Sequence, residues 1–593
     1  MNTAVQANLF AEILTPLERF HACKAMARGY AQNKANPRTR LSHARAFCAE
    51  VLMAYWRCLC RTHKTSMKAK RAPTPFVTIA KEARNLAHSL GELISIFPTE
   101  DAGFLMGSVY TGMLPPEMRS QLGAYYTPPP LVARLLDMAE AAGFDFKHGT
   151  VIDPACGGGA FLAPVALRMV EQAEGASPSW LMRRLGKRLR GIEIDPFAAW
   201  MTSVLLDAAL MPISIQAGRR LDNVVEVADS LEHPHNEKYD LVVGNPPYGR
   251  ITLPADKREK FARSLYGHAN LYGLFTDLAL GLVKGDGVVA YLTPTSFLGG
   301  QYFKALRQLL LDEVTPVAFD FVADREGVFD DVLQETLLAA YTKKDFSAAA
   351  QVSVLVPEGL NAAHIESVAG VRLEKSSEPW LLPRNREDTS FFENLASMPT
   401  RLGDLGYTVS TGPLVWNRHK DQLKTTKSKS TLPIIWAESV TTRGFAFSAD
   451  KRGHVPYIAL KAHQDFLKTD RPVVLVQRTT SKEQARRLVA AELDADFVSK
   501  NGGVVVENHL NMVVPTNGAP LIGAHVIAAL LNTSAVDRAF RCISGSVAVS
   551  AYELNAVPMP GAEALKALEK MMEKGMTHKA LDEHVSKLYG GSQ

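Results

Sequence analysis

The sequence predicts an α/β protein in which a largely parallel sheet with crossover helices lies between a helical amino-terminal domain and a mixed α+β carboxyl-terminal domain. Three observations carry that class. From about residue 120 to 345, short apolar or β-branched runs (TVIDPA, LRGIEID, YDLVVGN, GVVAYLTP, PVAFDFV, TLLAAYT) alternate with helical stretches, as successive βαβ units require. Ahead of Pro115 and Pro116, runs such as LSHARAFCAEVLMAYWRCLC and FVTIAKEARNLAHSLGELISIF repeat apolar residues every three or four positions, the period of helices that bury one face. After residue 396 the runs become short and strand-like (YTVSTG, PVVLVQRTT, GGVVVENHLNMVVP), with polar loops between them and a helix near HVIAALLNTSAVDRAFR.

In chain order these give a basic helical domain at 1–115, the α/β domain at 116–345, a transition segment at 346–395, an α+β domain at 396–560 and a closing helix at 561–593. At roughly 150 residues per domain, 593 residues agree with three or four domains. A composition of 47% hydrophobic and 21% charged residues excludes collagen, coiled coil and wholesale disorder. No apolar run approaches the roughly 18 residues of a membrane span. The amino terminus has no basic region before its apolar residues and carries Glu12 among them, so a cytoplasmic protein is expected. The six cysteines form no CxxC pair, which signals neither a disulfide framework nor a zinc cluster. His233 and His235 form an HxH without further ligands nearby and read as a solvated loop. No metal is expected.

The net charge of +5 is unevenly spread. Residues 24–85 hold fourteen Lys or Arg against two acids, and residues 411–500 hold sixteen against nine. These blocks carry +12 and +7, which leaves −14 for the rest. Two basic blocks flanking an acidic middle suit a protein that grips a polyanion, because phosphate neutralisation supplies most sequence-independent affinity for nucleic acid. A solvated helical face in each block is the alternative from charge alone.

The chemistry-bearing residues follow the strands. VIDPACGGGAFL at 151–162 is a strand ending in an acid, then a glycine turn, then a helix start. Such a turn lets a ligand approach the backbone and offers it the free N–H groups of a helix terminus. LRGIEIDP ends in Glu193, where an acid commonly takes ribose hydroxyls. Glu193 lies 34 residues beyond Gly159, and SPSWLMRRLGKRL is the insertion that stretches the spacing. Asp195 is therefore a weaker competitor for the ribose. Asp229, in VADSL after the next strand, could pair with an adenine amino group. In YDLVVGNPPYG a buried strand runs into Asn245, Pro246, Pro247 and Tyr248. The prolines stiffen the turn, so the Asn245 side chain and Pro246 carbonyl can serve as acceptors beside a displayed Tyr248 ring. That combination fits a planar, amine-bearing group.

DPACGGGAFL, GIEIDP, ADSL and NPPY, in that order, resemble the gamma-class N6-adenine DNA methyltransferases, restriction-modification methylases of the Eco57I-like kind. The resemblance is strong over 120–345, loose over 396–560 and slight over the first 110 residues. It implies a Rossmann-like S-adenosylmethionine-dependent methyltransferase domain followed by a target-recognition domain. GAYYTPPPLVARLL resembles the family's cofactor-binding segment, which implies that Tyr126, Thr127 and Pro128 line the S-adenosyl-L-methionine site. Asp153, Ala155, Gly157 and Gly159 would surround the methionine moiety, Glu193 would take the ribose and Asp229 the cofactor adenine. The catalytic motif would be Asn245, Pro246, Pro247 and Tyr248, with Phe329 closing the other face of a flipped-out target base against Tyr248.

Base choice would fall to the 396–560 region, where Trp416, Arg418, His419, Lys420, Trp436, Arg443, Arg478 and Asn508 stand on polar loops. Arg on guanine and Asn on adenine edges are common major-groove pairings. GSVAVSAYELNAVPMP loosely resembles the closing segment of restriction specificity domains. No D…ExK nuclease cluster stands out, so a methylase without its own nuclease is expected, acting as a monomer on double-stranded DNA with a separate cognate restriction endonuclease. The alternatives are a DNA-recognition subunit with a vestigial methylase core in a larger defence assembly, and an RNA or protein-glutamine methyltransferase.

Overall fold

The computed structural model describes residues 14–122, 127–323, 335–360, 362–373, 378–386, 389–480, 485–493, 495–516, 519–543 and 548–590. The chain forms two compact units, Met1–Pro294 with Leu309–Glu366, and Thr295–Gln308 with Ser367–Gln593.

Eight strands of a nine-stranded sheet lie in the first unit and the ninth begins there: β1 Val151–Asp153, β2 Leu189–Glu193, β3 Val225–Val227, β4 Tyr239–Gly244, β5 Val283–Pro294, β6 Thr315–Val322, β7 Thr336–Thr342, β8 Ala350–Pro357 and β9 Ala363–Val371. Their order is β9-β8-β6-β7-β5-β4-β1-β2-β3. β3, β2, β1, β4 and β5 are mutually parallel, and β7 runs antiparallel between β5 and β6. Each strand run quoted from the 120–345 region forms one of these strands. The chain's order reverses between β1 and β4, and ligands of open α/β sheets bind beside the carboxyl ends of strands at such a switch point.

Two departures from the expected organisation stand out. The segment read as transitional supplies β8 and β9, which extend the same sheet. The amino-terminal helices α1 (Pro16–Gln32), α2 (Pro37–Thr62), α3 (Lys81–Ile94) and α4 (Ala102–Met113) do not close a core of their own. Phe47, Tyr55, Leu105 and Tyr110 share one apolar cluster with Phe197, Trp200, Met201 and Val204. The latter lie on the crossover helix after β2, Pro196–Ala209. Every residue of that helix from Phe197 to Ala209 is buried, so it needs cover on the side away from the sheet. Trp200 donates its indole N–H to the Lys70 carbonyl at 2.9 Å. Lys70 and Arg220 both pair with the buried Asp207.

Helix α5 (Pro129–Ala141) precedes β1, α6 (Leu162–Glu171) and α7 (Pro178–Arg188) lie between β1 and β2, Pro196–Ala209 is α8 between β2 and β3, and α9 (Leu271–Leu282) lies between β4 and β5. The stretched spacing before Glu193 is α7, capped by the Ser177 side chain. Among the described residues no single helix is long and apolar enough to cross a membrane.

The second unit holds a four-stranded antiparallel sheet of Tyr407–Thr411, Leu510–Pro515, Val473–Gln477 and Ala490–Leu493, and a five-stranded sheet of short strands that includes Leu432–Ile435 and Val504–Val506. Helices Ala524–Leu531, Ser534–Ile543, Ala562–Glu573 and His578–Leu588 contribute to the core beside the four-stranded sheet. Ser550 and Glu553 form a capping box at helix Ala551–Asn555.

Candidate active site

Pro154 follows the last residue of β1 and brings no N–H to prolong the strand. The turn beyond it needs glycine: Gly157 and Gly159 have φ of 51° and 83°, a region costly for other residues. A Cβ on Gly159 would also lie 3.0 Å from Thr202 Cγ2 on α8. The Thr202 hydroxyl donates to the Gly157 carbonyl at 2.5 Å, so the turn and α8 interlock. At Gly157 a Cβ would meet nothing within 4 Å, which leaves open space above the turn.

Two buried carboxylates face that space. Asp153 Oδ1 accepts from the Ala155 amide at 3.0 Å, and a Cβ on Gly244 at the end of β4 would come within 2.7 Å of the same oxygen. Burial pushes the Asp153 carboxyl up to about 8, opposed by the Ala155 amide and reinforced by the charge of Glu193. Glu193 accepts from the Gly157 and Asp195 amides, each at 2.9 Å. Burial nevertheless pushes it up to about 7. Asp229, beyond β3, accepts from the Leu231 amide at 3.0 Å through one oxygen.

Asn245 follows β4 directly. Its Nδ2 donates to Thr127 Oγ1 at 3.2 Å, while its Oδ1 is buried with no hydrogen-bond partner. Leaving a buried acceptor unpaired costs about 1 to 3 kcal/mol, a cost that an incoming N–H would remove. The Tyr248 hydroxyl donates to the Leu292 carbonyl at 3.4 Å. Its ring meets Tyr272 edge-on, centroids 6.1 Å apart at 80°.

These groups line one cavity of about 230 Å³: Thr127, Asp153, Ala155, Gly157, Glu193, Asp229, Asn245 and Pro247. Pro128, Gly159, Pro246 and Tyr248 are not among its described lining residues. Pro128 caps α5 and Gly159 shapes the turn from behind. Tyr126 and Phe329 lie outside the described residues. Asp195, the weaker competitor for the ribose, borders the cavity with its carboxylate already engaged. Its carboxylate caps α8 through the Phe197 amide at 3.0 Å and pairs with Arg45 at 2.7 Å. His235 Nε2 lies 2.8 Å from the Ser230 carbonyl and His233 lies 3.7 Å from Glu226.

Sequence reasoning missed other walls of the cavity: Ile194, Leu253, Lys257, Phe275 and Tyr110. Ile194 carried a signal, since an isoleucine beside an acid at a strand end has one face to spend on a ligand, and it is 56% exposed. Tyr110 carried none, because it reads as one more apolar residue of a helix.

In the second unit the expected DNA contacts separate. Arg418, Lys420 and Arg443 are exposed. Trp416 is half-buried, with the Lys420 ammonium 5.7 Å above its ring. Arg478 instead donates to the Asn508 carbonyl at 3.2 Å, joining two of the candidates to each other. His419 Nδ1 lies 3.0 Å from Gln422 Oε1. Trp436 is not displayed: it is buried, stacked on His454 at 3.9 Å, and its N–H donates to the Val455 carbonyl.

Residues 188–329 match the family described as Eco57I restriction-modification methylase. The Type II methyltransferase M.BsuBI of Bacillus subtilis is 24% identical over 484 residues, covering 79% of this chain and 94% of its own length. M.PstI of Providencia stuartii is 27% identical over 351 residues, 58% of this chain and 69% of its own. Among solved structures, the Type IIL restriction-modification enzyme MmeI in complex with DNA superposes with a TM-score of 0.57 at 15% identity, covering 97% of this chain and 96% of that one. This last likeness bears on the fold alone. The resemblance drawn from the motifs and the methyltransferase fold it implied both hold.

Proposed function

Starting from a gamma-class restriction-modification methylase of the Eco57I type, we propose that this chain transfers a methyl group from S-adenosyl-L-methionine to N6 of an adenine flipped out of duplex DNA. It does so at one short sequence, in the cytoplasm, as the modification component of a restriction-modification or related phage-defence system. It acts as a monomer beside a separate endonuclease.

The observation that carries this reading is Asn245: its amide nitrogen is held by Thr127 and its oxygen is buried and unpartnered at the mouth of the fourth strand. An exocyclic amine has two N–H groups and a lone pair delocalised into its ring. Accepting those hydrogens at Asn245 Oδ1 and the Pro246 carbonyl favours a more tetrahedral nitrogen, whose lone pair can then form the new N–CH₃ bond. Because the amine loses a proton only after that bond forms, no strong base is required, and positioning supplies much of the rate. The Tyr248 ring is the platform for the flipped base, with Phe329 proposed opposite it.

The donor set also fits the cofactor. Glu193 would hold the ribose hydroxyls, Asp229 the adenine amino group, Ile194 and Phe275 would pack on apolar surface, and Asp153 with Thr127, Ala155 and Gly157 would surround the methionine end. Tyr126 and Pro128 are proposed beside them. When bound, S-adenosyl-L-methionine supplies a methyl group on a sulfonium. The two carboxylates raised by burial would be restored to the charged state by such a ligand.

The test is expression in a host without other adenine methylases, followed by single-molecule sequencing of host DNA. N6-methyladenine at a single motif is expected. Methylated cytosine, or methylation of RNA or protein alone, would overturn the substrate, and no modification would favour a vestigial or partner-dependent subunit.

A further inference from the structure

We propose that the amino-terminal helices form a wall of the cofactor cavity, with Arg45 and Tyr110 acting through Asp195 as positioning residues for Glu193. The inference rests on the reading of the cavity as the S-adenosyl-L-methionine site. Helix α4 lies directly on the glycine turn: a Cβ at Gly103 would stand 3.3 Å from Gly159 C and from the Ala160 Cα. One helical stretch further on, Tyr110 lines the cavity itself and donates its hydroxyl to Asp195 Oδ2 at 3.0 Å. Arg45, from α2, donates to Asp195 Oδ1 at 2.7 Å and reaches the Tyr110 oxygen at 3.4 Å. The Tyr110 ring also packs 4.9 Å from that of Phe197, the first buried residue of α8. Asp195 thus receives donors from α2, α4 and the first turn of α8. Its own amide donates to Glu193 Oε1 at 2.9 Å. A displacement of Asp195 therefore displaces the carboxylate assigned to the ribose.

Charge makes the link stronger than packing alone. Glu193 and Asp195 are 7% and 4% exposed, two residues apart. The ionisable groups facing Glu193 are Asp153 from β1, the Cys156 thiol from the turn and Asp195 after β2. The charge of Asp195 opposes the ionisation of Glu193. Arg45 is the half-buried cation paired with Asp195, so one basic residue of the 24–85 block is engaged within the protein.

The test uses the full chain, with S-adenosyl-L-methionine affinity measured by isothermal titration from pH 6 to 9 for wild type, Glu193→Ala, Tyr110→Phe, Arg45→Ala and Arg45→Ala/Asp195→Asn. Tyr110→Phe keeps the ring packing and serves if Arg45→Ala folds poorly. Both single variants are expected to weaken the cofactor about tenfold, with the effect falling on KM for cofactor rather than KM for duplex. Arg45→Ala should also move the pH midpoint of binding upward, and Asp195→Asn in that background should bring it back. Wild-type affinity in Tyr110→Phe and Arg45→Ala, while Glu193→Ala loses binding, would overturn the positioning role and leave the cavity reading intact. A loss in Arg45→Ala that Asp195→Asn does not relieve would also overturn it. Absence of binding by wild type would overturn the cavity reading, and the positioning role with it.

Discussion

Asn245 is held by its nitrogen and leaves its oxygen for a ligand, so the two ends of one side chain separate structure from chemistry. Asn245→Ala is expected to abolish methyl transfer while cofactor affinity stays within about twofold, because the proposed partner of the oxygen is the substrate amine rather than the cofactor's ribose. Titration with S-adenosyl-L-methionine beside a methylation assay checks both halves. Glu193→Ala should do the reverse, costing about 1.5 to 3 kcal/mol of cofactor binding, the range for a hydrogen bond to a charged group. The same carboxylates set a pH dependence whose sign is fixed. Burial raises Glu193 to about 7 and Asp153 to about 8, above their values in an unfolded chain, so each stabilises the fold below the ordinary carboxylate range and loses that contribution as pH rises through its folded value. The ligand-free protein should therefore melt at a lower temperature at pH 8.5 than at pH 5.5. Cofactor proposed to favour the charged forms should bind more tightly as pH rises across that window and release protons. Calorimetry in buffers of different ionisation heat reads that release, and binding without proton release would count against carboxylates that ionise on loading.

At the scale of elements, the sheet was legible because its strands are continuous apolar runs, and each run that begins or ends at Asp153, Glu193 or Asn245 places its polar residue at the carboxyl edge. β8 and β9 were hidden because AQVSVLVP and AHIESVAGV lie at the sheet's end, where β9 is mostly exposed and mixes charged residues with apolar ones. Trp436 misled for the opposite reason. A tryptophan among short polar loops reads as displayed, yet it sits beyond Leu432–Ile435, which pairs with Val504–Val506, and His454 stacks on it from a distant loop. Such burial is set by tertiary pairing, which no local pattern records. The contact between β1 and β4 shows what the edge demands: Gly244 has no room for a Cβ beside Asp153. Gly244→Ala should lower stability by about 1 to 3 kcal/mol, seen in urea unfolding, and displace Asp153 enough to weaken the cofactor. A variant as stable and as well loaded as wild type would show that the strand ends can part freely.

For the whole molecule, the sharing of one core between α1–α4 and α8 changes what the basic amino-terminal block can be. Removing residues 1–115 would bare Phe197, Trp200 and Met201, so the expected outcome is an aggregated protein, and the block's hold on DNA must be probed by substitution. Arg45 and Lys70 are engaged with Asp195 and Asp207, whereas Lys64, Lys68 and Arg71 are exposed. Changing these three to glutamine should weaken binding to every duplex alike, each lost phosphate contact taking about 0.9 from the salt slope. An unchanged slope would mark the face as solvated or as a surface for another protein. Sequence choice belongs to different side chains. A catalytic motif that touches only the flipped base cannot select its neighbours, so selection needs groups free to reach base edges. Arg418 and Arg443 are exposed in the second unit, while Arg478 already donates to the Asn508 carbonyl. Arg418→Ala and Arg443→Ala are therefore expected to relax the methylated motif at one position each, at about 1 to 3 kcal/mol for an arginine that reads guanine. Arg478→Ala should instead lower the melting temperature and weaken all sites together. Sequencing the methylated positions in cells carrying each variant separates these outcomes. A motif unchanged by both exposed arginines, with its strength lowered uniformly, would assign them to phosphates and move base reading to other loops of this unit.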